Sequence, residues 1–142
     1  MAVSRAMGRL LRVREMEEEQ SQAALERAVG EQRRLEAAMA AAEQRARAGR
    51  KLLADSATTG ELVDRVAGVE QMRSARRHAE ALQSRLAEAE RALALRRQEF
   101  LEKRVERRQV ESLIQKRETE ESVEANRRTQ RELDDWFLGQ KR

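Results

Sequence analysis

The sequence predicts an all-α protein, a long two-helix antiparallel coiled-coil hairpin with a C-terminal helix overhang, and three observations predict it. Charged residues make up 39% of the 142, aromatics 2%, and proline is absent, while Ala, Glu, Arg, Leu and Gln fill the chain; that is the profile of a coiled coil and leaves a core no wider than a two-helix seam. Apolar residues recur by alternating steps of three and four through two long stretches, as a heptad seam requires. A single cluster of small, turn-forming residues separates those stretches. The whole chain, 1–142, reads as one hairpin.

The first helix is expected over about 3–54. Its seam runs Met7, Leu11, Arg14, Glu18, Ser21, Leu25, Ala28, Gln32, Leu35, Met39, Ala42, Ala46, Gly49 and Leu53, nine of fourteen apolar, with a polar gap from Arg14 to Ser21. Gly30 and Gly49 each lower helix propensity by about 1 kcal/mol relative to Ala. Pairs such as Glu43 with Arg47 and Glu61 with Arg65 have the favourable acid-first order of an exposed helical face.

The turn is expected over about 55–60, in Asp55-Ser56-Ala57-Thr58-Thr59-Gly60, where Thr58 and Glu61 have capping-box spacing. A loop so short makes the flanking helices antiparallel neighbours. Facing residues should then have numbers summing to roughly 113, which sets Leu35 against Ala79, Met39 against Ala75 and Leu25 against Ala89, large against small.

The second helix is expected over about 61–138, with no Gly or Pro from 69 to 138 and a length approaching ~100 Å at 1.5 Å per residue. Leu62, Val66, Val69, Met72 and Ala75 step by four and then three threes, a stammer-like slip beside Gly68 that predicts local overwinding. From Met72 the seam reads Ala75, Ala79, Leu82, Leu86, Ala89, Leu93, Arg96, Phe100, Lys103, Arg107, Val110 and Ile114, ten of thirteen apolar counting Met72. Beyond Ile114 the same positions are Arg117, Glu121, Glu124, Arg128, Arg131 and Asp135. Register arithmetic also exhausts the first helix opposite about residue 111, so the stretch after about 114 is expected to overhang unpaired, held by charge pairs such as Glu124 with Arg128 or by a partner.

The formal charge of +4 combines 30 basic with 26 acidic residues, interspersed in sign. The richest basic run, Arg96-Arg97, Lys103-Arg104, Arg107-Arg108 and Lys116-Arg117, is interleaved with Glu99, Glu102, Glu106 and Glu111, and no aromatic platform accompanies it, so no nucleic-acid partner is expected. Polar breaks at Arg96, Lys103 and Arg107 are candidates for fixing register or loosening the pair. Cysteine is absent, which removes thiol and disulfide chemistry. Charges every few residues predict neither a signal peptide nor a transmembrane span. A lone His78 has no companions for a metal or nucleophile site, Glu120 and Glu121 lie on a convex surface, and Gly139-Gln140-Lys141 lacks the glycines of a phosphate loop. No catalytic residue, metal or cofactor is expected. Trp136 and Phe137, at the end of a charged helix, offer an apolar anchor for a partner.

Phe100-Leu101-Glu102-Lys103-Arg104, Glu111-Ser112-Leu113, Lys116-Arg117-Glu118 and the closing Glu124-Ala125-Asn126-Arg127-Arg128-Thr129-Gln130-Arg131-Glu132-Leu133-Asp134-Asp135 resemble the C-terminal half of the flagellar export protein FliJ family. The resemblance implies a non-enzymatic stalk and chaperone component of the bacterial flagellar type III protein export apparatus, similar in shape to the gamma subunit of rotary ATP synthases. It implies as partners the hexameric export ATPase, the export gate protein FlhA and substrate chaperones, and a cytoplasmic location peripheral to the inner membrane at the flagellar base, held there through those partners. Arg127, Arg128, Gln130, Arg131, Glu132 and Leu133 are thereby assigned to the ATPase-facing end, and Met39, Ala42, Met72 and Ala75 to the hairpin surface that meets the gate or a chaperone. The family often marks that surface with aromatics, and this chain has none there. Related stalk proteins of virulence type III secretion systems share the hairpin. The alternatives are a coiled-coil scaffold and a nucleic-acid-binding helical arm.

Overall fold

The computed structural model describes residues 4–140. Two long α-helices, α1 (Arg5–Thr59) and α2 (Leu62–Gln140), pack against each other. Ser4 caps α1: its hydroxyl accepts from the Met7 amide at 3.2 Å and its carbonyl from Gly8 at 3.1 Å, satisfying donors that a helix start leaves free.

The turn is shorter than the sequence suggests. Residues 55–59, expected in the loop, continue α1, because nothing in Asp55 to Thr59 demands a non-helical backbone. Gly60 ends the helix instead, with φ of 73° and its amide bonded to the Ser56 carbonyl at 2.8 Å, an αL cap that glycine adopts without steric cost. Thr58 therefore caps nothing. Glu61 stands at the cap position before α2, its carbonyl accepting from the Arg65 amide at 3.2 Å and its own amide donating to the Thr59 hydroxyl at 3.4 Å.

The chain gathers into two compact units, one of residues 23–98 and one of residues up to 22 with those from 99 onward. In the first, buried positions recur at seven-residue intervals, Leu35, Ala42, Gly49 and Ser56 on α1 and Gly68, Ala75, Leu82 and Ala89 on α2, with Leu93 buried one turn beyond Ala89. Leu35, Ala42, Leu82 and Ala89 form one cluster with Met39, Ala79 and Leu86 packed against it, so large and small side chains do alternate as expected. The register differs. Gly49 meets Gly68 and Met72, Leu53 meets Gly68, and the Gln71 side chain donates to the Arg45 carbonyl at 3.0 Å, which moves each partner roughly one to two helical turns from the position read off the sequence. Placing the turn four residues too early is the cause.

Beside Gly68 the buried positions keep a heptad step in place of the slip read from Leu62, Val66 and Val69. Gly68, seven residues before Ala75, takes the seam position, while Leu62 and Val66 are 69% and 60% exposed. A Cβ on Gly68 would lie 2.9 Å from the Gly49 carbonyl oxygen and 3.0 Å from the Leu53 amide nitrogen, and one on Gly49 would lie 2.9 Å from the Gly68 carbonyl oxygen. The two backbones touch there, as only paired glycines allow. Ser56 is fully buried and satisfies its hydroxyl on the Leu53 carbonyl at 2.7 Å.

In the second unit the polar gaps of the two seams meet. Arg14 pairs with Glu17 at 3.1 Å and Glu106 at 3.2 Å, Lys103 with Glu106 at 3.4 Å and Glu17 at 3.7 Å, and Arg107 with Glu18 and with Glu111 at 2.8 Å. Val110 is buried beside this charged layer, and Met7, Leu11, Phe100 and Ile114 are half-buried. From Gln115 to Gln140 every residue except the half-exposed Glu124 is exposed.

Candidate functional site

Among the described residues the chemistry of catalysis finds no enclosure. His78 is exposed, as are Glu120 and Glu121, and no group of three or more His, Asp or Glu side chains could hold a metal ion. No described helix is long and apolar enough to cross a membrane. What the surface offers is contact area, concentrated in two places.

One is the C-terminal part of α2. Arg127, Arg128, Gln130, Arg131, Glu132 and Leu133 are all exposed. They do not share a face: at 100° per residue they are distributed around the helix. Arg128 and Arg131 lean toward Glu124, at 3.8 Å and 3.9 Å, which realises the charge pair expected from the sequence, and the Gln130 amide donates to Asp134 at 3.1 Å. The Thr129 hydroxyl turns inward to the Ala125 carbonyl at 3.0 Å. These contacts are local and weak, about 0.3–0.5 kcal/mol for an exposed helical pair, so the side chains can exchange them for a partner's groups. Trp136 and Phe137 pack edge to face with centroids 5.2 Å apart, each 57% exposed, and Leu133 and Leu138 add to the same apolar end.

The other is a groove of 240 Å³ lined by Ala46, Arg50, Leu53, Val69, Met72, Arg73 and Arg76. Its floor is aliphatic and its rim is guanidinium. In the flanking stretches 45–51 and 69–77, Arg45, Arg47, Arg50 and Lys51 on α1 and Arg73, Arg76 and Arg77 on α2 outnumber the acid Glu70, which pairs with Arg77 at 3.5 Å; Glu43 stands one turn before Arg47. Of the residues placed on this surface by sequence, Met72 lines the groove; Met39 is half-buried against the Leu35, Ala42, Leu82 and Ala89 cluster instead, and Ala42 at 0% and Ala75 at 3% exposure lie inside the seam and present nothing to a partner. The rim arginines were not singled out from sequence. Neither helix alone is remarkable in charge there; the concentration arises when 45–51 and 73–77 are brought together. Within the basic run of 96–117, Lys103 and Arg107 show the opposite outcome, because they spend their charge on Glu17, Glu18, Glu106 and Glu111. Those bonds, Glu18 first and Glu111 second, hold the Arg107 guanidinium still further above its ordinary pKa.

No curated protein and no solved structure matches this sequence. The family model described as flagellar FliJ protein matches residues 4–140, which takes in both helices, the glycine turn between them and the exposed C-terminal stretch. With nearly its whole length so matched, the chain belongs to the flagellar FliJ family and is a component of the flagellar export apparatus.

Proposed function

We propose that the protein is a non-enzymatic stalk: an antiparallel coiled-coil hairpin whose C-terminal helix overhangs beyond Ile114 and enters the hexameric export ATPase, while the hairpin links the ring to the export gate protein FlhA and to substrate chaperones. It works in the cytoplasm, held at the inner membrane through these partners. The observation that carries this reading is the exposure of residues 115–140 on every side. A helix that docked on a flat partner would need one apolar face; a helix surrounded by a ring presents polar and charged groups in all directions, as Arg127, Arg128, Gln130, Arg131 and Glu132 do, and ends in the Trp136–Phe137 anchor.

The residue types supply the mechanism. A stalk activates a ring by binding one arrangement of its subunits more tightly than another, and the ligand shifts the equilibrium by no more than that difference. Arginines make bidentate, directional bonds to carboxylates, so a rotated or rearranged subunit loses them. At the other surface, the arginine-rimmed groove around Met72 is the part of the hairpin assigned to the gate or a chaperone; Met39, packed in the neighbouring cluster, and Ala42 and Ala75 serve there only by setting the helix spacing.

The test is the ATP hydrolysis rate of the cognate export ATPase, titrated with the full chain, with a chain ending at Ile114, and with Arg127→Glu/Arg128→Glu. Stimulation by the full chain that both variants lose supports the stalk. Undiminished binding by the charge-reversed variant removes the assignment of those arginines, and no binding by any form removes the stalk.

A further inference from the structure

The outer side of α2 between Leu101 and Thr119 differs from the rest of the surface. In a chain with 39% charged residues, exposed helix positions are usually charged. Here Val105, Arg108, Gln109, Ser112, Lys116 and Thr119, all exposed, follow one another along one face at helical spacing and carry two cations and no acid. Leu101, Val105 and Leu113 are 52%, 53% and 54% exposed. A shallow cavity of 550 Å³ lies on this strip, and no carboxylate lines it.

We propose that this strip is a second docking surface, separate from the ATPase-facing end and from the arginine-rimmed groove, and that it takes one acidic amphipathic α-helix of another protein. Shape comes first: Leu101 and Val105, four residues apart, with Leu113 eight residues further on, offer apolar contacts to a second helix laid along this one. Length follows, because Val105 to Thr119 spans about four turns, ~20 Å. Charge decides the partner. Arg108 and Lys116 stand eight residues apart, ~12 Å along the axis, with no acid in the cavity lining to neutralise them, so the incoming helix carries carboxylates two turns apart beside its apolar stripe. A second copy of this chain is the wrong occupant. A two-fold axis through Ser112 would set Arg108 of one copy against Lys116 of the other, like charge on like.

The experiment uses the full chain and two synthetic helical peptides of about five turns, identical in their leucine stripe and flanked either by Glu or by Lys. Binding is read by fluorescence anisotropy at moderate salt. The Glu peptide is expected to bind at least about tenfold more tightly than the Lys peptide, and Val105→Gln/Leu113→Gln is expected to weaken it at least about tenfold. Arg108→Glu/Lys116→Glu should reverse the preference toward the Lys peptide. All four positions are exposed, and circular dichroism checks that helicity is kept. The proposal is overturned if neither peptide binds, if both bind alike, or if the strip variants bind the Glu peptide as the native chain does. It is equally overturned if Arg50→Glu/Arg73→Glu, in the other groove, abolishes binding while the strip variants do not, or if sedimentation shows a dimer that the strip variants dissolve.

Discussion

Two glycines in this chain have opposite fates if given a methyl group. At Gly68 the new Cβ would press on the Gly49 carbonyl and the Leu53 backbone, neither of which can rotate away, so Gly68→Ala is expected to destabilise by about 1–3 kcal/mol through forced separation of the helices. At Gly30 nothing lies within 4 Å, and Gly30→Ala should stabilise by about 0.5–1 kcal/mol by removing chain entropy from the unfolded state. Urea unfolding followed by circular dichroism reads both; equal effects would remove the close-approach argument. The turn supplies a second residue-scale prediction. Glu61 has its pKa raised, first by a hydrogen bond with Asp64 and then by the charge of that carboxylate. The folded state thus binds this proton more tightly than the unfolded one, so the pair's stabilisation is full below the ordinary Glu value and is lost as pH rises through the raised one. Glu61→Gln, which holds a hydrogen at all pH values, should therefore gain stability relative to the native chain as pH rises through that window. A constant difference between the two would mean the carboxyls do not share a proton.

At the scale of elements, the charged layer between residues 14–18 of α1 and 103–111 of α2 replaces apolar seam with ion pairs, and its worth depends on completeness. Arg14 already has its Nε buried without a hydrogen-bond partner. Arg14→Leu alone leaves Glu106 with Lys103 only and Glu17 likewise, and is expected to cost about 1 kcal/mol. Arg14→Leu/Glu106→Leu removes the orphaned nitrogen and its main partner together while Lys103 keeps Glu17; it is expected to be neutral or stabilising by about 1–2 kcal/mol. Because these side chains are only partly screened from water, the double variant should also show a shallower dependence of melting temperature on salt. If the double variant is less stable than the single one, the layer is a net source of stability and not a device of register. What the layer does specify is alignment, since any slide of one seam past the other strands several charges against apolar neighbours.

At the scale of the molecule, the buried seam and the exposed C-terminal stretch occupy different lengths of the same helix. Residues 115–140 are exposed apart from the half-exposed Glu124 and none of them belongs to the buried core, so a chain ending at Ile114 is expected to unfold within about 2 °C of the native midpoint, with loss of ellipticity confined to the missing helix. A large drop in midpoint would show that the C-terminal stretch folds back onto the protein. Stability of the remainder rests on a narrow, alanine-rich seam, where burial contributes about 25 cal/mol per Å². Binding partners that engage only the native form will accordingly raise the midpoint in proportion to the logarithm of their concentration.

The sequence by itself determined the helical class, the interruption near Gly60 and which side of each helix turns inward. All fourteen seam residues of α1 and twelve of the thirteen on α2 are buried or half-buried, Arg96 alone being exposed, because a heptad period depends only on residue order and helix geometry. It also determined where the apolar seam stops, at Ile114, and hence where the exposed stretch begins. Only the tertiary structure decided the register. That choice turned on whether helix continues through Asp55 to Thr59 and on a backbone contact between Gly49 and Gly68, and small residues are equally compatible with loop or helix until something packs on them. From register follows the rest: the polar gap at Arg14 to Ser21 and the cations Lys103 and Arg107 look like two unrelated defects in one dimension, and become a single paired layer once the helices are aligned. The arginine-rimmed groove was hidden for the same reason, since its charge belongs to neither helix until the two are side by side.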